Sequence, residues 1–200
     1  MIYNLESIEV QELIKKDKNL KKLFADIKQV HIEIETDYLK SLINSIISQQ
    51  ISRKVARSIS SNFFSYFKDY NPKTILNTSD DEIRSLGFSR PKVKYLKSLL
   101  EHIITNEVDL TIIDSLSDEE VINMLTKVTG IGRWTAEMFL IFSLNRKDVY
   151  SVLDLGLKEG VKLLYGKDLT NNEILEIASK WSPYKTLVSH FLWRYYEKNR

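Results

Sequence analysis

Apolar residues recur along most of this chain at spacings of three and four, the period that lines one face of a helix. Leu39, Leu42, Ile43, Ile46 and Ile47 predict a helix that starts at Asp37. Val55, Ile59, Phe63 and Phe67 predict a second after the polar break SQQIS, with Ser52 as its N-cap. Ser7 precedes a short helix (SIEVQELIKKD), and Asp17 reads as the N-cap of KNLKKLFADI. The segment VHIEIET alternates apolar and charged residues, an extended piece too short to build a sheet alone. A short helix starts near Ser79 and stops at Gly87; another begins at Arg90-Pro91, where proline is tolerated in the first turn. Ser117 with Glu120 makes a capping box for DEEVINMLTKV, and further helices are predicted at 133–143, 155–165, 171–180 and 184–197. The pattern predicts an all-α fold in two helical lobes.

Residues 128–139, VTGIGRWTAEMF, interrupt this pattern with two of only six glycines in the chain. A dinucleotide-binding loop would need a third small residue where Thr135 stands and a strand before it. A phosphate-cradling P-loop would need Gly-Lys-Ser/Thr where the chain has Gly132-Arg133-Trp134. What remains is helix, tight turn, helix. Gly130 and Gly132 allow positive φ and close approach of another surface, while Ile131 between them is expected to point inward. The first amides of the second helix lack intrahelical partners and carry the positive end of its dipole, which suits a phosphate. Taken alone, an ordinary turn with a glycine C-cap accounts for the stretch equally well.

A second singular stretch is VYSVLDLG, where Asp154 stands in a run otherwise free of charge from Val149 to Leu157. It is placed to cap the helix that follows. The same position suits an ionised carboxylate facing a cleft, since a helix N-terminus favours the charged form. Asp148 is its nearest rival and follows Asn145-Arg146-Lys147 in what reads as an exposed loop.

Composition narrows the classes. The chain has 200 residues, 43% of them hydrophobic, enough to bury a core in one domain or two lobes. No apolar run reaches membrane-spanning length and the charged start lacks a signal-peptide core, so no membrane contact and a cytoplasmic setting are expected. There is no cysteine, which excludes disulfides, thiolate zinc sites and cysteine-ligated iron–sulfur clusters. His31, His102 and His190 are too scattered for a metal site, and no Ser-His-Asp constellation appears. No cofactor is expected. A formal charge of +2 is too mild to announce nucleic-acid binding, so local patches must supply it. Arg53, Lys54 and Arg57, with Lys92, Lys94 and Lys97, are the candidates for phosphate contacts.

VTGIGRWTAEMF resembles the helix-hairpin-helix motif of DNA glycosylases, and most resembles their alkylpurine (3-methyladenine type II) members, which carry a tryptophan in this motif. Thr129 stands where many relatives have proline, and no proline precedes Asp154. The segments SIISQQIS, GFSRPKVKYL, VTGIGRWTAEMF, VYSVLDLG and WSPYKTLVSHFLW follow one another in the family's order. The resemblance implies a helical barrel lobe over 36–145, with the hairpin at 117–143, and a second lobe from 1–35 and 146–200, DNA lying across a cleft between them. It implies Asp154 as the catalytic carboxylate; Trp134, Trp193 and, less directly, Tyr150 as base-pocket residues; and Thr129, Gly130, Ile131, Gly132 and Arg133 as the backbone-binding turn. Gln49 and Gln50, or Ser89 and Arg90, would fill the gap left by a flipped base. Family hairpins often hold a monovalent cation on backbone carbonyls. Trp134 stands where strand-nicking relatives place a lysine, which implies a monofunctional enzyme, and the expected partner is duplex DNA with alkylated bases, met by a monomer. A non-enzymatic DNA-binding module is the alternative; a bifunctional oxidised-base glycosylase is disfavoured by Trp134.

Overall fold

The computed structural model describes residues 1–200 and forms two compact units, Met1–Ile34 with Leu140–Arg200, and Glu35–Phe139. One division falls next to the expected 35/36 boundary. The other falls at Phe139/Leu140, inside a helix, rather than after residue 145.

The first unit brings both ends of the chain together. Strand β1 (Ile2–Asn4) pairs antiparallel with β2 (Gln29–His31), Ile2 opposite His31. The extended stretch read from VHIEIET therefore finds its partner at the N-terminus. Helices α1 (Ile8–Lys16) and α2 (Leu20–Ile27) lie between the two strands in sequence. Asp17 does not cap α2 as expected. It is buried, and its carboxylate accepts hydrogen bonds from Trp181 Nε1 at 3.0 Å, from the Tyr165 hydroxyl, and from the amide and side chain of Asn19. A buried carboxylate is tolerated only with such a set of donors. After the second crossing come α10 (Leu155–Tyr165), α11 (Asn171–Ser179) and α12 (Lys185–Asn199). Trp181, Phe24, Phe191, Leu13, Leu20 and Leu23 are fully buried in this unit's core, and the rings of Phe24 and Phe191 meet edge to face at 4.7 Å. Each such side chain removed from water contributes about 1.5–3 kcal/mol. Gly160 lets α10 and α12 close up: a Cβ there would stand 3.1 Å from the carbonyl oxygen of Leu192.

The second unit runs through α3 (Tyr38–Ser48), α4 (Arg53–Tyr66), α5 (Pro72–Asn77), α6 (Asp80–Ser85), α7 (Arg90–Ile104), a 3₁₀ turn at Ile113–Ser115, and α8 (Asp118–Leu125). It enters α9 (Arg133–Phe142), whose last three residues belong to the first unit. Local sequence sets the starts. The side chains of Asp37, Ser52, Ser79 and Ser117 each accept from an amide in the first turn, and Ser79–Glu82 and Ser117–Glu120 close capping boxes. Leu42, Ile43, Ile46 and Ile47 of α3 are buried as their spacing required, and Phe63 of α4 packs on Phe67 and Phe88. No helix is long and apolar enough to cross a membrane.

Candidate functional site

The hairpin turn is built by a few contacts within its own unit. After α8 the amide of Val128 bonds the carbonyl of Leu125, and the amide of Ile131 bonds that of Val128 at 3.0 Å. Gly130 has φ +88°, and a Cβ there would fall 2.3 Å from the Tyr95 ring, so glycine is required twice over. Gly132 differs. Its φ is not in the left-handed region and a Cβ would meet nothing within 4 Å, so the protein itself gives no reason for glycine there. Its carbonyl accepts the amide of Ala136, which makes Gly132 the residue from which α9 begins.

The five residues of the turn are not equivalent. Ile131 is buried as expected, but its amide is spent on Val128. The amide of Thr129 is donated to Ser98 Oγ at 3.1 Å. Both amides are thus committed within the protein, whereas those of Gly132 and Arg133, at the N-terminus of α9, are of the kind a helix leaves without internal partners. The Arg133 guanidinium bonds Glu119 through both terminal nitrogens and Glu137 through Nε at 3.0 Å. As placed, it staples α8 to α9, and in this state its fork points at carboxylates. Two carbonyls of the turn already accept hydrogen bonds, Val128 from the Ile131 amide and Gly130 from Gln49 Nε2, so a cation held on either would share that oxygen. No group of three or more acidic or histidine side chains is placed to hold a metal.

The loops around the turn sort out further. Gln49 is half-buried and donates Nε2 to Gly130 O at 2.8 Å, a clamp on the hairpin where a gap-filling side chain had been expected. Gln50 is exposed with φ +56°, at the apex between α3 and α4. Ser89 and Arg90 are exposed at the start of α7. Lys92 is not a phosphate contact: it is buried, donates to Ile47 O at 2.7 Å, and burial pushes its ammonium below the usual lysine range. Lys97 is paired with Asp80 at 2.6 Å. Trp134 is exposed on the first turn of α9.

In the other unit, Asp154 caps α10. Its Oδ1 accepts the Leu157 amide at 2.9 Å and the Trp193 indole N–H, also at 2.9 Å. Trp193 is itself held. Its ring stacks on Phe142 (centroids 5.4 Å, planes 25° apart) and meets His190 edge-on at 5.5 Å. Gly156 makes the arrangement possible, because a Cβ there would lie 3.1 Å from Trp193 Cδ1 and 3.2 Å from Asp154 Oδ1. Leu153 and Leu155 stand exposed on either side of the carboxylate. The result is one fixed negative charge set in an aromatic and apolar surround. Such a group can stabilise a developing positive charge.

Tyr150 belongs elsewhere than the stacking surface expected for it. It is a core residue with its ring edge against Trp181, and its hydroxyl is buried without a partner. Burial first, and the nearby charge of Asp154 second, push that hydroxyl well above its ordinary range. Asp148 is not loose either. It accepts from Ser182 Oγ at 2.7 Å and pairs with Lys185 at 3.1 Å, which commits it to fastening the start of α12. Phe142, Gly156, His190, Tyr95 and Ser98 were missed from sequence, since each acts through a contact that no local spacing announces.

Comparison with known proteins adds the following. A family model, that of the HhH-GPD superfamily base excision DNA repair proteins, matches residues 43–183. DNA-3-methyladenine glycosylase 1 of Schizosaccharomyces pombe is 37% identical over 126 residues, 62% of this chain and 55% of that one. Among solved structures, a DNA-3-methyladenine glycosidase from Bacillus halodurans superposes with a TM-score of 0.88 at 32% identity, covering 98% of this chain and 92% of that one. The S. pombe 3-methyladenine DNA glycosylase in complex with abasic DNA gives 0.82 at 31% identity, covering 94% and 96%. The chain spans between 44% and 59% of the first three curated relatives it matches.

Proposed function

Because this chain belongs to the HhH-GPD superfamily of base excision DNA repair proteins, we propose that it is a monofunctional DNA N-glycosylase of the 3-methyladenine type II class. It releases alkylated purines from duplex DNA and leaves an intact abasic strand. The observation that carries this reading is the Asp154 carboxylate, gripped at one oxygen by Trp193 and the Leu157 amide.

The chemistry asks for little else. Ordinary glycosidases pair an acid with a base because the leaving oxygen must be protonated. A purine alkylated at N3 or N7 is already cationic and departs without an acid. What remains is to stabilise positive charge on the deoxyribose while water attacks. At about 4 Å and an effective dielectric of about 20, one carboxylate supplies roughly 4 kcal/mol, or about a thousandfold in rate. That suffices for a destabilised base and falls short for an undamaged one. Trp193 adds an aromatic face for an electron-poor ring. Trp134 has no amine, so it forms no Schiff base with the abasic sugar. The bare backbone of Gly132 and the first amides of α9 receive a phosphate of the bound strand.

The test is Asp154→Asn. Asparagine caps a helix as well as aspartate does, so the variant is expected to fold and to bind DNA while methylpurine release from methylated duplex, resolved chromatographically, falls by about a thousandfold. Normal release by this variant would overturn the assignment. Incubation of the wild-type protein with an abasic duplex is expected to leave the strand unbroken, and nicking there would overturn the monofunctional reading.

A further inference from the structure

The charges of the second unit are unevenly placed. Residues 38–68 contain Lys40, Arg53, Lys54, Arg57 and Lys68 and no carboxylate at all. At the chain's composition, 27 acidic residues in 200, a stretch of 31 residues would hold roughly four (27/200 × 31). The gap is occupied by hydroxyls. On α4 the exposed positions Lys54, Ser58, Ser61 and Ser65 follow one another at intervals of three and four, and Arg57 stands beside them, three residues after Lys54 and four before Ser61, so that together they form one stripe along the helix. Four other cations of this unit are paired: Lys40 with Glu35, Arg84 with Asp81, Lys97 with Asp80 and Arg133 with Glu119. Lys54 and Arg57 have no carboxylate partner.

The stripe also begins beside the hairpin. Gln49 holds Gly130 O, and Lys92 holds Ile47 O, so the end of α3 is fastened to both the hairpin turn and α7. From Gln49 to Arg53 is four residues, at most about 14 Å of chain. That is comparable with the roughly 12 Å width of the major groove. A duplex seated on the turn therefore lies within reach of the first turn of α4.

We propose that the outer face of α4, with Lys54 and Arg57 as its charged contacts and the serine hydroxyls as neutral donors, is a second seat for the phosphodiester backbone of duplex DNA, separate from the phosphate at the hairpin. It rests on the reading that this chain binds DNA, but not on the excision chemistry. Two long cations hold the backbone by counterion release, and the short serines let it approach closely without a competing negative charge.

The experiment uses the full chain and an undamaged duplex of about 20 base pairs, with affinity measured against salt. Lys54→Gln with Arg57→Gln is expected to reduce the slope of log affinity against log salt by about 1.8, roughly 0.9 for each contact. The loss of affinity between 50 and 200 mM salt then becomes about tenfold smaller than in the wild type. Lys167→Gln with Lys180→Gln removes the same charge from exposed positions of the other unit and is expected to leave the slope unchanged. Equal slopes for the two double variants overturn the proposal. Because no damaged base is present, an α4-dependent slope in a protein that releases no methylpurine would retire the glycosylase reading and leave this one standing.

Discussion

Replacing Trp193 with phenylalanine separates two tasks that one residue performs. The ring keeps its place over Phe142 and beside His190, while the indole N–H that reaches Asp154 Oδ1 at 2.9 Å is deleted. A hydrogen bond to a charged group contributes about 1.5–3 kcal/mol. The Leu157 amide still grips the same oxygen at 2.9 Å, so the carboxylate stays anchored and the loss sits toward the lower end. Converted to rate, this is about a tenfold to hundredfold fall in the chemical step. The assay is single-turnover release of 7-methylguanine from methylated duplex at saturating enzyme, with duplex affinity measured alongside. Rate is expected to fall in that range while affinity stays within about threefold, because the hydrogen bond orients the charge rather than holding the DNA. Gly156→Ala approaches the same contact from the other side. Its Cβ presses on both Trp193 and Asp154, so the rate is expected to drop even where the melting temperature holds, alanine being the better helix former by up to about 1 kcal/mol. A Trp193→Phe enzyme that releases base at the wild-type rate would refute the positioning argument, as would one that loses only affinity.

Other substitutions test the remaining parts. Gly130→Ala forces a left-handed backbone and a collision with Tyr95, so it is expected to lower stability by about 2 kcal/mol or more in chemical denaturation. Gly132→Ala meets nothing in the protein; it is expected to cost well under about 1 kcal/mol in stability yet weaken DNA binding, and undiminished affinity would remove the turn's backbone from the interface. Asp17→Asn is expected to cost about 2 kcal/mol at pH 7. Burial alone would raise that carboxyl, but hydrogen bonds from Trp181, Tyr165 and Asn19 outweigh it and hold it below the aspartate range. A lowered folded value contributes stability above the unfolded value of about 4 and loses it as pH falls through the folded one. The gap between Asp17→Asn and wild type should therefore narrow below about pH 4, and an equal gap at pH 7 and pH 2.5 would refute this account.

What could be read from sequence was local. Caps at Asp37, Ser52, Ser79, Ser117 and Asp154 act within three residues, so the chain spells them out and the helices start where they say. Asp17 shows the limit. Its neighbourhood looks like another cap, but its use is set by Trp181, 164 positions away. Gln49 reads as a polar helix end until Gly130, 81 positions on, claims its amide. Gly130 and Gly132 are the same letter two places apart, yet one is demanded by the fold and the other is not. Asp154 stood out because it was alone in an apolar run, whereas the hydrogen bond from Trp193 depends on how α12 lies against α10. Nothing in either segment specifies that angle.

His190 sits beneath the aromatic wall, touching both Phe142 and Trp193, with its Nε2 buried and unpartnered. Burial first, then the positive fields of Arg194 and Lys147, push its ionisation down to about 4. The imidazole is consequently uncharged across the physiological range. A protonated ring in that place would repel the positively charged purine that this surface is proposed to receive and would partly cancel Asp154. By refusing a proton, an otherwise silent histidine leaves the aspartate's attraction unopposed, which on the proposed reading would favour a cationic base over its neutral parent before any bond breaks.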